Sequence, residues 1–165
     1  MSQDPTGAEA PSWEAWREEL VTAVLGLGDG ESVTVEAPPG AARMAKAQGR
    51  RLPFMPAKRV LTRPWLRLTR VEDLLRGQCV GAEVLGGAFP WTPEEHAALL
   101  EHGWHPSFAD GPDYVRFWPD DVPQGPFLPR ADAERAAGAL ATTLREVVSP
   151  PRPGADDPMP TIRGA

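Results

Sequence analysis

Residues 64–106 read PWLRLTRVEDLLRGQCVGAEVLGGAFPWTPEEHAALLEHGWHP, and this stretch decides the fold. Trp65-Leu66-Arg67-Leu68-Thr69 alternates apolar with polar residues, the pattern of a half-buried strand. Pro64 belongs at the start of such a strand or on a sheet edge, because it has no N–H for a ladder. Glu72 to Gly77 reads as a turn, and Gln78 to Leu85 as a second strand that Gly86-Gly87 ends. Gly81 and Ala82 leave room for something to pack close above that strand. Thr92-Pro93-Glu94-Glu95 opens a helix: Thr92 caps, Pro93 takes the first helical position and Glu95 completes a capping box. Ala98, Leu99 and Leu100 form its apolar face, and Gly103 stops it.

Toward the N-terminus, Ser12 is the expected cap of an earlier helix, with Glu14 in its first turn. Trp13, Trp16, Leu20, Val24 and Leu27 recur at spacings of three and four, which places them on one helical face. Gly26 and Gly28 end that helix, and Asp29-Gly30 makes a turn. Val33, Val35 and Ala37 alternate with polar residues as a strand before Pro38-Pro39-Gly40. The next segment, 41–63, is expected to be a basic insertion, with a short helix from Ala41 to Gln48 and a Pro-interrupted loop whose Phe54 and Met55 tuck back onto the core. Toward the C-terminus, Tyr114 to Trp118 reads as a strand, and Pro119 to Pro129 as an extended connection. The apolar stripe Ala133, Ala136, Ala137, Leu140, Ala141, Leu144, Val147 and Val148 predicts a long helix capped by Asp132. The expected organisation is a disordered tail at 1–11, one domain at 12–149 that includes the basic insertion 41–63, and a disordered Pro-rich tail at 150–165. Short turns between strands favour an α+β fold, an antiparallel sheet with helices packed on one face.

Composition narrows the function classes. A chain of 165 residues can bury about 68–70% of its unfolded surface, enough for a core without covalent staples. Its apolar runs fall short of the roughly 20 residues that span a bilayer. The start, MSQDPTGAEAPS, has neither the basic nor the apolar region of a signal peptide. The one cysteine, Cys79, has no partner in the chain for a disulfide. These features point to a cytoplasmic protein with no membrane partner. High Ala, Gly, Pro and Arg content suits a GC-rich bacterial genome. The net charge is −6, yet residues 37–71 hold nine Lys and Arg and no acid, which leaves about −15 on the remainder.

No catalytic constellation is present: no G-x-S-x-G, no phosphate-cradling Gly-rich loop and no H-E-x-x-H. No cofactor or metal is expected. His96 and His102 lie six residues apart, and Gly103 separates His102 from His105, so the three read as solvated side chains about a helix end. Cys79 reads as a buried strand residue, and Asp110, Asp113, Asp120 and Asp121 read as turn formers. The chain reads as a protein without enzymatic activity. Six tryptophans are many for this length, and Trp is enriched at binding surfaces.

Taken as a series, Pro64-Trp65-Leu66-Arg67-Leu68, Val80-Gly81-Ala82-Glu83-Val84, Leu100 with Gly103-Trp104-His105-Pro106, and Ala139 to Val148 resemble the actinobacterial branch of the type III secretion chaperone-like and YbjN-like domains, the peptide-binding TY-Chap group. The similarity runs from Trp13 to Val148. It implies the order α-β-β-β-α-β-β-α and a non-enzymatic module that holds a segment of a client protein or peptide, often as a homodimer. The chain differs from that group in its basic insertion, where an acidic character is expected, and in His102, where Leu usually precedes Gly-Trp. The expected partner-contact residues are Trp65, Leu66, Arg67, Trp91 and Trp104, with the sheet edge beside Pro64. The alternative is an anion or nucleic-acid site on the basic segment 43–70, using Arg50, Arg51, Lys58, Arg59 and Arg63; the overall acidity weighs against nucleic acid.

Overall fold

The computed structural model describes residues 12–47, 54–107, 111–119, 128–148 and 158–164. Helix α1 spans Trp13–Leu25, and the Ser12 hydroxyl accepts the Ala15 N–H at 3.1 Å. Its Trp16, Leu20, Val21 and Val24 are buried. Strand β1 follows at Ser32–Glu36. After a 3-10 turn at Pro39–Ala41 come β2 at Arg43–Lys46 and β3 at Arg59–Thr62. Strand β4 covers Trp65–Val71 and β5 covers Leu74–Cys79. Helix α2 is Pro93–Glu101. Strands β6 at His105–Pro106 and β7 at Tyr114–Trp118 precede α3 at Arg130–Thr143, which a π-helical turn continues over Leu144–Val148. The last element is β8, Thr161–Arg163.

The fold is α+β, as expected. Six strands form an antiparallel sheet in the order β6-β7-β5-β4-β1-β8, and β2 pairs with β3 in a separate hairpin. Val33 and Val35 of β1, Leu66 and Leu68 of β4, and Leu75 and Cys79 of β5 are all buried, at every second position of their strands. Register aligns them: Leu66 lies opposite Val35 and Cys79, and Leu68 opposite Val33. Tyr114 pairs with Cys79 and Trp118 with Leu75, which carries the same face onto β7. The buried sides of α1 and α3 join these residues in one core. Two glycines permit the close approaches. A Cβ on Gly77 would stand 2.6 Å from the Trp118 ring, and one on Gly81 would stand 1.9 Å from the Pro112 carbonyl oxygen.

Several expectations are corrected. The turn between β4 and β5 is only Glu72-Asp73; Glu72 takes a positive φ of 55°, and its N–H donates to the Asp29 carboxylate at 2.7 Å. The second strand therefore starts at Leu74 and stops at Cys79, while Glu83–Leu85 is a 3-10 turn. Segment 43–46 is a strand instead of a helix, because its backbone groups pair with Arg59–Thr62. Phe54 and Met55 are exposed, not tucked in. Pro129, not Asp132, stands at the α3 N-cap; Asp132 is buried in the first turn and bonded to Arg135. The tail expected at 150–165 contains β8, whose Ile162 lies opposite Val35, and the Trp16 indole donates to the Pro160 carbonyl at 2.9 Å. Residues 1–11 lie outside the described residues.

Candidate functional site

The helices cover one side of the six-stranded sheet. The residues that alternate with the core series form the other face, and the ladder aligns them in rungs. Thr34, Arg67, Gln78, Val115 and His105 form one rung; Ser32, Thr69, Arg76 and Phe117 form the next; Glu36 and Trp65 lie beside them. Arg163 of β8 joins the first rung opposite Thr34. Trp65 is half-buried, with the Arg67 guanidinium 5.1 Å from its ring centre. Arg67 also donates through Nε to the Thr34 hydroxyl at 3.1 Å. Glu36 is the one carboxylate among the described strand residues of this face, and it pairs with Arg63 and, at 3.0 Å, with Arg163. The face thus combines an aromatic, arginines and short polar side chains, with its acid already neutralised.

The residues expected at a partner surface divide. Trp65 and Arg67 stand on this open face. Leu66 and Trp104 are wholly enclosed, so they build the core and reach no partner in this conformation. The Trp104 indole donates to the Thr143 hydroxyl at 2.9 Å, and its ring meets Trp118 edge-on. Trp91 is buried apart from one edge; its indole donates to the Val80 carbonyl at 2.8 Å, and it lines a small apolar hollow of about 220 Å³ with Val84, Leu85 and Pro93. The expected edge beside Pro64 is also corrected: β4 has β1 and β5 on its two sides, and Pro64 marks its start.

The basic segment is partly spent on the protein itself. Arg43 holds Glu95 and lies 5.4 Å from the Phe89 ring centre, Arg63 holds Glu36, and Arg70 donates to the Leu27 and Glu72 carbonyls. Lys58 and Arg59 remain exposed. Arg50 and Arg51 lie outside the described residues. Burial opposes the charge on Glu95, but bonds from Arg43 and from the Thr92 backbone outweigh it and hold that carboxyl below its ordinary pKa.

Cys79 is fully enclosed, and burial pushes its thiol pKa up, with the Asp113 charge adding to the effect, which disfavours the thiolate. Burial likewise pushes Tyr114 up to about 12. Two of the three histidines are better anchored than solvated side chains, since His96 Nδ1 is 2.6 Å from the Tyr114 hydroxyl and His102 Nε2 is 3.2 Å from Glu146, whereas His105 is exposed as expected. No group of three or more His, Cys, Asp or Glu among the described residues could hold a metal ion. No described helix is long and apolar enough to cross a membrane.

The chain is an α+β domain whose antiparallel sheet has helices on one side and an aromatic and basic face on the other. The chain belongs to the TY-Chap3 family, described as T3SS (YopN, CesT) and YbjN peptide-binding chaperone 3, whose family model matches residues 6–155. No curated protein and no solved structure matches the chain.

Proposed function

We propose that this chain holds a segment of a client protein against the open face of its sheet, centred on Trp65 and Arg67, and performs no chemistry of its own. The observation that carries the reading is the six-stranded sheet with helices on one side only, where Trp65 and Arg67 lie together beside a neutralised Glu36. The description of the family as peptide-binding chaperones supports a polypeptide partner. Aromatic and arginine side chains are those that most often anchor such contacts. The basic-segment alternative loses Arg43, Arg63 and Arg70 to bonds within the protein.

The test is capture from native lysate by the tagged full chain, at low and high salt, with and without nuclease, read by mass spectrometry. A discrete protein should survive both treatments and be lost on Trp65→Ala in a chain that circular dichroism shows to be still folded. Capture that vanishes with nuclease or with salt would instead favour the basic segment.

A further inference from the structure

We infer that the segment held on the open face of the sheet is acidic, and that Arg67 and Arg163 read its side-chain carboxylates. This rests on the reading that a client polypeptide binds that face, and it adds the charge of the segment and the residues that select it. Strands β8, β1 and β4 are neighbours, and Arg163, Thr34 and Arg67 stand side by side in one rung. Two inter-strand spacings, about 10 Å, separate the backbones that carry the two arginines. The Thr34 hydroxyl between them accepts from Arg67 Nε at 3.1 Å. That bond takes a single N–H of the guanidinium and leaves its charge uncancelled. Arg67 has no carboxylate partner among the described residues, and neither of its Nη groups is hydrogen-bonded there. Glu36, next to Thr34 on the same face, is shared by Arg63 and Arg163. Three arginines thus meet one carboxylate, and two positive charges are left over on this face of a chain whose net charge is −6. Asp113, just before β7, is engaged by the Gly81 N–H at 2.9 Å.

A local basic patch on an acidic protein draws anionic segments to itself. A guanidinium with both Nη groups unbonded suits a carboxylate, which accepts them as a fork. Recognition of this kind uses side chains and needs no backbone pairing: β1 and β4 each have a neighbouring strand on both sides, so the segment lies over the strands and not beside them. Trp65, with the Arg67 guanidinium 5.1 Å from its ring centre, offers an apolar contact next to the charge. Single-stranded nucleic acid fits less well, because Arg67 already stands over the Trp65 ring where a base would stack. Two copies of the chain meeting through this face would set the same arginines against one another. Charge therefore favours a foreign segment that carries at least two acids and an apolar residue.

The probes are a short blocked peptide of Glu, Leu and Phe, its counterparts with Gln or Lys in place of Glu, and a single-stranded oligodeoxynucleotide, each titrated into the full chain by fluorescence anisotropy. The Glu peptide should bind at least about tenfold more tightly than the Gln peptide, and the Lys peptide most weakly. That preference should shrink as salt rises, while the apolar contact with Trp65 persists. Arg67→Gln should weaken the Glu peptide about tenfold and leave the Gln peptide nearly unchanged. Arg163→Gln, at an exposed position, should act in the same direction without disturbing the fold. Lys58→Gln, on the hairpin, should change nothing. Equal binding of the Glu and Gln peptides, a Glu preference that survives both arginine variants, a loss that Lys58→Gln reproduces, or displacement of the Glu peptide by equimolar oligonucleotide at physiological salt would each overturn the proposal. If the client captured from lysate is lost on Trp65→Ala yet binds Arg67→Gln and Arg163→Gln as it binds the wild type, the acid preference falls and the client reading stands. If no client is captured but the Glu peptide binds through Arg67 and Arg163, the acid preference stands and the client reading falls.

Discussion

The six-stranded sheet and the β2–β3 hairpin treat the same residue types in opposite ways. In the sheet, every second side chain is matched to a covered face, and Leu66, Leu68, Leu75 and Tyr114 are wholly enclosed. In the hairpin, Met44, Leu61, Phe54 and Met55 stand in water, and Ala45 is its one fully enclosed residue. Charges follow the same division: Glu36 takes Arg63 and Arg163 on the sheet, whereas Lys46 faces Arg59 across the hairpin. The sheet is built to be stable, and the hairpin leaves apolar surface in water. Mutations should therefore divide into those in the covered face, which unfold the protein, and those in the hairpin, which leave its stability almost unchanged.

The largest effect is expected in the sheet. Leu66→Ser combines a cavity with an unpaired buried hydroxyl and should cost about 3–5 kcal/mol, read from denaturant unfolding. A loss below about 1 kcal/mol would place Leu66 outside the core and blur the contrast. Thr143→Val keeps the shape but leaves the Trp104 indole N–H without its acceptor, so a loss of about 1–3 kcal/mol is expected by the same measurement. Removing the α2 cap with Thr92→Ala should cost about 1 kcal/mol.

Glu95 gives a smaller, pH-dependent effect. Its pKa is lowered in the folded protein, so its contribution is fully present above the unfolded carboxyl value and is lost as pH falls through the lower folded value. Glu95→Gln should flatten that part of the acid unfolding profile, and an unchanged profile would show that the Arg43 pair adds nothing to stability. The smallest effect belongs to the hairpin: Leu61→Ser should alter stability by no more than about 0.5 kcal/mol, because the side chain meets mainly water. A loss above about 2 kcal/mol would show that the hairpin is part of the stable core.

Much of the sheet was legible because its residues obey local rules. The Thr92–Glu95 capping box and the alternation in β1 and β4 depend on near neighbours, and they stand as read. The hairpin was missed because Arg43–Lys46 and Arg59–Thr62 are four residues each and become strands only through each other, across a Pro-containing gap. Strand β8 was missed for the same reason: Thr161–Arg163 carries no signal until Ile162 meets Val35. At the candidate site, the sequence suggests Trp65, Leu66 and Arg67 together as contact residues, although alternation separates Leu66 from the other two. Period-2 geometry sends Leu66 inward and the other two outward. A tryptophan beside a helix end, such as Trp104, reads alike at a surface and in a core, and its burial with a bond to Thr143, distant in sequence, distinguishes the two.

The most direct test of client holding is backbone amide exchange on the full chain, free and bound to the client it captures. The account expects new protection over Trp65–Arg67 and their neighbours on β1 and β5, with the helical side of the protein unchanged. Protection confined to α1 and α3, with β4 exchanging as in the free chain, would contradict it.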